Sequence, residues 1–502
     1  MQYDTLVVGS GVAGMTAAAI LAKEGHKVLV LEQHARPGGL MQTFRRGSCL
    51  FPTGVRTVGA LGPGQILWRY FKYIGVLDHL RLVALDEEGS IEYTFPGMSF
   101  LVPWGQDEFR ARLIDQFPAE QAAVTRFFAD MRRVVAKFPL YNLRVGIENP
   151  PIEFQKQSLG QYLDGLTRCR ELKAILTAIN PFYGMSPSEC PVYTHFLVQD
   201  SFLSSAWRFD ESEVSLVEGM MRAVRAVGGE VRCGARVAAI ESAGDRVSAV
   251  RLADGEQIEA AIVVFTGHPK QLPTLCRNGV LRPAFKQRLL DQPETPGMFG
   301  VAIAWEHSDC LLSRRDSLVY QGWNTDGQYE QRALLKDETP HLVMCSACPN
   351  RAYPEGARRT YSAVALSITS DDEWRPWRGS RTGSRTKDYQ SHKHALAQRV
   401  LSVIQQKWPE AADKMRIVDS FSPLTFRDYT MSPVGSAFGI KKSVTTRLAG
   451  RIAAATRLKG LLLAGQSVIL SGVVGTVISS VKACAGILGR RHLLERIARE
   501  TG

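Results

Sequence analysis

The chain has 502 residues, 45% hydrophobic and 22% charged, which excludes a disordered, collagenous or disulfide-stapled small protein and predicts two or three domains with ample core. Sixty-one Lys and Arg against 49 Asp and Glu leave a net charge of +12, which favours an anionic contact: phospholipid, nucleic acid or a phosphorylated substrate. Nine cysteines, at 49, 169, 190, 233, 276, 310, 345, 348 and 484, are scattered and odd in number, so a reducing compartment is expected rather than a disulfide framework. The close pair Cys345-Ser-Ala-Cys348 lacks a helix start or a second ligand pair at zinc spacing, and two ordinary semi-buried thiols with no metal are expected.

The N-terminus carries no basic n-region and turns glycine-rich before an apolar stretch develops. The expectation is a cytoplasmic chain that starts at Met1. Residues 3–8 form a short apolar, β-branched run that predicts a buried parallel strand. Gly9-Ser-Gly11-Val12-Ala13-Gly14 follows at once, Met15–Glu24 predicts a helix, and Lys27–Glu32 predicts a second strand ending in an acid. In such a βαβ unit Gly9 permits a tight turn, Gly11 lets the backbone approach a pyrophosphate, and Gly14 allows close helix packing. The helix N-terminus offers free N–H groups to the phosphates, and Glu32 is placed to accept hydrogen bonds from ribose hydroxyls. Glu32 is followed by Gln33-His-Ala-Arg36-Pro-Gly38-Gly39-Leu40. This extension resembles the FAD-binding signature of the flavoprotein group that holds amine oxidases, phytoene desaturases and the GDP-dissociation inhibitors.

Further along, residues 67–77 (LWRYFKYIGVL) and 126–137 (RFFADMRRVVAK) mix aromatics with cations. Both suit either an interfacial helix or ordinary packing with solvated Lys and Arg. Residues 228–269 alternate, with breaks at Ala243-Gly244-Asp245 and Asp254-Gly255, which predicts a three-stranded meander followed by a buried strand at 261–265. In the group it resembles, such a segment returns to the nucleotide domain, the residue matching Val237 pairs with adenine through its backbone, and the loop holding Gly267 ends near the dinucleotide. Residues 371–394, poor in apolar side chains and rich in basic, Gly and Ser residues, predict an exposed loop.

Between Lys459 and Lys482 there is no charge for 22 residues, the length of a membrane span. Gly465-Gln466-Ser467 and Gly472-Val473-Val474-Gly475 interrupt it, so it is read as strand, glycine turn and helix, whose uncharged N-terminus aims N–H groups at the pyrimidine edge of a flavin.

GGLMQTF (38–44), FPTGVRTVG (51–59), SPLTFRDYTMSPVGSAFG (422–439) and LLLAGQSVILSGVVGTVISSVKACAGIL (461–488) together resemble the retinol saturase and carotenoid isomerase branch of the phytoene desaturase superfamily. The chain departs from that pattern at Leu40, Pro52 and Ser467. The resemblance implies an α/β fold in which a Rossmann-like FAD-binding domain of the amine-oxidase and GDP-dissociation-inhibitor type (1–60, 205–275 and 415–502) is interleaved with an α+β substrate domain (61–204 and 276–414). It implies FAD as cofactor and a hydrophobic polyene or isoprenoid substrate that is desaturated, saturated or isomerised.

With no second GxGxxG, electrons are expected to pass to or from an external quinone, oxygen or protein. A membrane surface is a candidate partner; nucleic acid is not, since no binding module is seen and the charge is diffuse. Arg56, Arg427 and Tyr429 are the catalytic candidates by their motifs, with His195 a further polar residue of interest. An amine or polyketide-intermediate oxidase and a non-catalytic lipid-binding protein are the competing readings.

Overall fold

The computed structural model describes residues 2–146, 151–210, 213–276, 280–306, 314–330, 334, 338–348, 360–446 and 452–502; Cys310 lies outside them. Two seven-stranded sheets organise these residues.

The first sheet begins with Tyr3–Val8, where Tyr3, Thr5, Leu6 and Val7 are buried, as a strand covered on both faces requires. Val28–Leu31 pairs parallel on one side of it and Gln257–Phe265 on the other. Glu230–Arg232 and Leu461–Leu463 extend the parallel run at its two ends. The first half of Gln257–Phe265 leaves this run to pair antiparallel with Arg246–Leu252, which pairs in turn with Val237–Ala243. The meander is therefore present, but its third strand and the predicted buried strand are one continuous nine-residue element.

The alanine-rich helix Val12–Lys23 packs on this sheet beside Gly472–Leu488. Small residues allow close approach: a Cβ on Gly14 would lie 1.8 Å from the carbonyl oxygen of Gly9. The 22-residue uncharged stretch is strand, turn and helix. Among the described residues no helix is long and apolar enough to cross a membrane.

The second sheet runs in the order Arg416–Phe421, Gly297–Glu306, Thr360–Thr369, Leu342–Cys348, Asp316–Tyr320, Ile91–Phe95, Met98–Val102. Its residues are apolar on both faces, and the period of two divides them. Phe299, Val301 and Ile303 pack under the helix Lys387–Lys407, while Met298, Ala302 and Ala304 face a helical layer that includes Gln121–Ala136 and Val192–Ser204. Cys345 and Cys348 fall on opposite faces of one strand, so they form no pair, and among the described residues no His, Cys, Asp and Glu group could hold a metal.

Residues 371–394 are ordered, contrary to the expected exposed loop. Trp374 is buried and stacks on Phe299 with ring centroids 5.6 Å apart, and Tyr389 donates to or accepts from the Ser422 hydroxyl. Two buried aromatics anchor a polar stretch whose average composition conceals them. The aromatic and cationic segments also pack inward. Leu67, Tyr70 and Phe71 of the helix Ile66–Tyr73 are buried in the core around the first sheet, and Phe127, Phe128 and Met131 in that of the second.

Candidate functional site

Parallel strands leave their C-terminal ends open, and in such sheets ligands bind beyond those ends where the strand order reverses. Here Val8, Leu31, Phe265 and the residue after Leu463 all border one cavity of about 310 Å³. Gly9, Gly11, Val12, Ala13, Glu32, Gln33, Gly38, Gly39, Leu40, Val237, Gly267, Gly465, Gln466, Gly472 and Val473 line it. The sheet thus brings together residues more than 400 positions apart in sequence.

The backbone forms a cradle. A Cβ on Gly11 would meet nothing within 4 Å, and the same holds for Gly472, whose φ is +76°. The space where side chains would stand is open to a ligand beside two helix N-termini. The helix starting at Gly472 has no acidic residue in its first turn, so its N–H groups and dipole are free for an electron-rich partner.

Glu32 is held ready. The carboxylate is buried and accepts from the Ser10 N–H (3.0 Å), the Ser10 hydroxyl (2.5 Å) and the His34 N–H (2.9 Å). A carboxylate has about four lone-pair sites, so one remains for a ribose hydroxyl. Ser10 also accepts from the Gly38 N–H at 3.1 Å, tying the first glycine turn to the second. Sequence reading passed over Ser10 because it lies between two glycines that the motif already explained.

Three of the expected cofactor residues stand elsewhere. Gly14 serves helix packing and does not line the cavity; Arg36 is exposed, and only its carbonyl is engaged, by the Gln42 side chain; Val474 lines a second, adjoining cavity. Ser467 borders the cavity and accepts from the Ile440 N–H at 3.2 Å.

The second cavity, about 110 Å³, shares Gly54, Val55, Arg56, Met298, Phe438, Gly472 and Val473 with the first. Beyond the junction Phe182, Phe202, Leu197, Leu318 and Met344 make most of its walls apolar, and Asp316, Ser201 and Ser346 also border it. These arrive from helices and strands of the second sheet's layers. They carry no local motif, so the sequence gives no signal for them.

Of the catalytic candidates, Arg56 lies at this junction. Tyr429 is 52% exposed at the outer rim of the first cavity, beside His34, whose imidazole bonds the Tyr429 carbonyl at 2.7 Å. Arg427 does not reach the cavity: it donates to the carbonyls of Arg378 and Ser380 and pairs with Asp428 at 2.7 Å, fastening the 378–380 turn. His195 is wholly buried among Phe127, Tyr183 and Phe196, bonded through Nδ1 to the Tyr183 hydroxyl at 2.9 Å. Burial pushes its imidazole down to about 3, so it stays neutral and lines neither cavity.

Two polar features escaped the sequence. His268 borders the first cavity with its imidazole pushed down to about 4 by burial, against the opposing pull of Glu294 3.5 Å away. Lys442 donates to the Gln466 carbonyl at 2.6 Å, and burial pushes its amine down to about 7.

Similarity to known proteins agrees with this site. The family described as flavin containing amine oxidoreductase matches residues 12–488. The chain belongs to that family. It is similar to all-trans-retinol 13,14-reductase of Macaca fascicularis, 28% identical with 97% of this chain and 86% of that protein covered. It is also similar to the chloroplastic prolycopene isomerase of Daucus carota, 22% identical with 96% and 79% covered. An oxidoreductase from Methanosarcina mazei shares the fold at a TM-score of 0.66 and 13% identity over 95% of this chain and 98% of that one. Cyclohexylamine oxidase from Brevibacterium oxydans does so at 0.60 and 16% over 100% and 99%. The fold is thus the amine-oxidase type of Rossmann-like FAD domain with an interleaved α+β domain, and the protein is an FAD-dependent oxidoreductase. The glycine cradle, the open lone pair on Glu32 and the free helix N-terminus fit FAD. When bound it exchanges hydride at its N5, while the protein binds, orients and excludes water.

Proposed function

We propose that this enzyme reduces, oxidises or isomerises a carbon–carbon double bond of a long conjugated polyene of the retinoid or carotenoid kind. The observation that carries the reading is the apolar cavity opening directly off the cofactor cavity, with Gly54, Val55, Met298 and Val473 common to both. A hydrocarbon chain fills such walls at a gain of about 25 cal/mol per Å² removed from water. Two relatives named for acting on all-trans-retinol and on prolycopene support it.

An amine substrate fits less well. The charged side chain at the junction is the cation Arg56, and the neighbouring Asp316 already serves Arg208 and Thr57, so an ammonium group would meet repulsion with no free carboxylate. In this reading Val237, which lines the first cavity, meets adenine, and Arg56 acts beside the reacting bond. Tyr429 stands at the entrance, and Arg427 holds the turn beside it. Electrons enter or leave through an external donor or acceptor, and the basic surface presents the protein to an anionic membrane from which such substrates come.

The test is anaerobic. The FAD-loaded protein is photoreduced, mixed with all-trans-retinol or prolycopene, and followed by flavin absorbance and product mass. Reoxidation with a product heavier by two hydrogens, or conversion to an isomer of equal mass, supports the reading. Failure with polyenes together with bleaching of the oxidised flavin by primary amines overturns it.

A further inference from the structure

The junction between the two cavities carries a guanidinium to which the described residues offer no hydrogen-bond acceptor. Arg56 lies in the stretch joining the strand Cys49–Pro52 to the short strand Val58–Gly59. That stretch is pinned from behind, because a Cβ on Gly59 would lie 2.3 Å from the Ser201 carbonyl of the helix Val192–Ser204. The backbone therefore cannot withdraw, and the guanidinium borders both cavities.

Among the described residues none accepts a hydrogen bond from it. The strongest attraction on it comes from Asp316, which also borders the second cavity and is buried at the head of its strand, but both oxygens of that carboxylate already accept hydrogen bonds. One receives Arg208 at 2.6 Å and the other the Thr57 hydroxyl at 2.5 Å. The other acid that acts on Arg56 is Glu213, buried with its Oε2 unpartnered. Burial pushes its carboxyl up to about 8 against the pull of Arg56 and Arg208. Burial disfavours the Arg56 charge, yet an arginine does not give up its proton, so the charge persists. An enclosed cation without a partner is costly, and its five fixed donors match a planar carboxylate in two parallel hydrogen bonds.

We propose that Arg56 receives the carboxylate head of the substrate, with the hydrocarbon tail running into the apolar cavity, so that the polyene is an acid rather than an uncharged hydrocarbon or alcohol. This rests on the polyene reading above and names its chemical class. It places the conjugated bonds next to the head group at the cofactor junction.

The probes are cis-parinaric acid, a fluorescent conjugated tetraene acid, and its methyl ester, titrated into the FAD-loaded protein. The ester keeps the tail and removes the charge. The wild type is expected to bind the acid at least about tenfold more tightly, the worth of one charge-assisted pair. R56Q is expected to erase that preference while leaving ester binding unchanged, and R56K, which keeps the charge without the fork, to retain part of it. Equal binding of acid and ester by the wild type overturns the inference and leaves the polyene reading standing. Binding of neither probe overturns both. The wild-type comparison decides the matter even if R56Q is recovered without flavin.

Discussion

The two halves of the site are built by opposite means. The cofactor half is made mostly of backbone: glycines at 9, 11, 38, 39, 465 and 472 line it, and open space stands where Gly11 and Gly472 lack side chains. The adjoining cavity, where the proposed substrate would lie, is made of side chains from the 54–58 segment, the helix Val192–Ser204, both strands Asp316–Tyr320 and Leu342–Cys348, and the helix Gly472–Leu488. A backbone cradle serves a cofactor common to a whole family, because every chain has the same N–H groups to offer. A side-chain pocket can be respecified one residue at a time. The difference explains how relatives named for a reductase, an isomerase and an amine oxidase share one scaffold.

The sharpest way to break this contrast is at Gly14. Its Cβ would overlap the Gly9 carbonyl, and neither backbone can move without separating helix from strand. Gly14→Ala is therefore expected to abolish soluble, flavin-loaded protein, and a folded yellow G14A would refute the packing account.

Gly11→Ala is the milder counterpart. Its Cβ meets no protein atom, so the apo fold should keep its Tm while FAD affinity falls about tenfold or more, since the methyl occupies ligand space; tenfold equals about 1.4 kcal/mol. Calorimetric titration of apo protein with FAD measures it, and undiminished affinity would place the pyrophosphate elsewhere.

On the substrate side, Glu213 makes stability depend on pH. Its folded carboxyl sits near 8, above its unfolded value, so the folded state holds a proton that the unfolded state has lost. The contribution is fully present below the unfolded value and is lost as pH rises through about 8. Glu213→Gln is expected to flatten the fall in Tm across that window by a few degrees. An unchanged slope would show that the carboxyl ionises freely.

The smallest effect is expected at Arg427. Loss of its pair with Asp428 and of its bonds to the 378–380 turn should cost about 1 kcal/mol in R427A, with the flavin spectrum and turnover unchanged. A large drop in kcat would return this arginine to the reacting centre.

What could be read from sequence is what the chain encodes locally. The first strand, its glycine turn, the helix and Glu32 fall within 32 consecutive residues, and glycine spacing there is dictated by sterics that act over a few positions. The C-terminal strand, turn and helix were legible for the same reason. Local reading failed where burial decides. Trp374 and Tyr389 anchor a segment whose composition suggested an open loop, and His195 is a neutral side chain in an aromatic cluster, because only packing determines how much water a side chain keeps. The junction of the cavities was beyond sequence altogether. Arg56, Arg208, Glu213 and Asp316 span 260 positions, and their charges meet only because the fold brings a connecting stretch, two strands of different sheets and a helix start together. The sequence by itself determined the family, the cofactor and the glycine cradle. Tertiary structure alone decided which arginine borders both cavities and which fastens a turn, since charge pairing depends on distance and burial that no motif records.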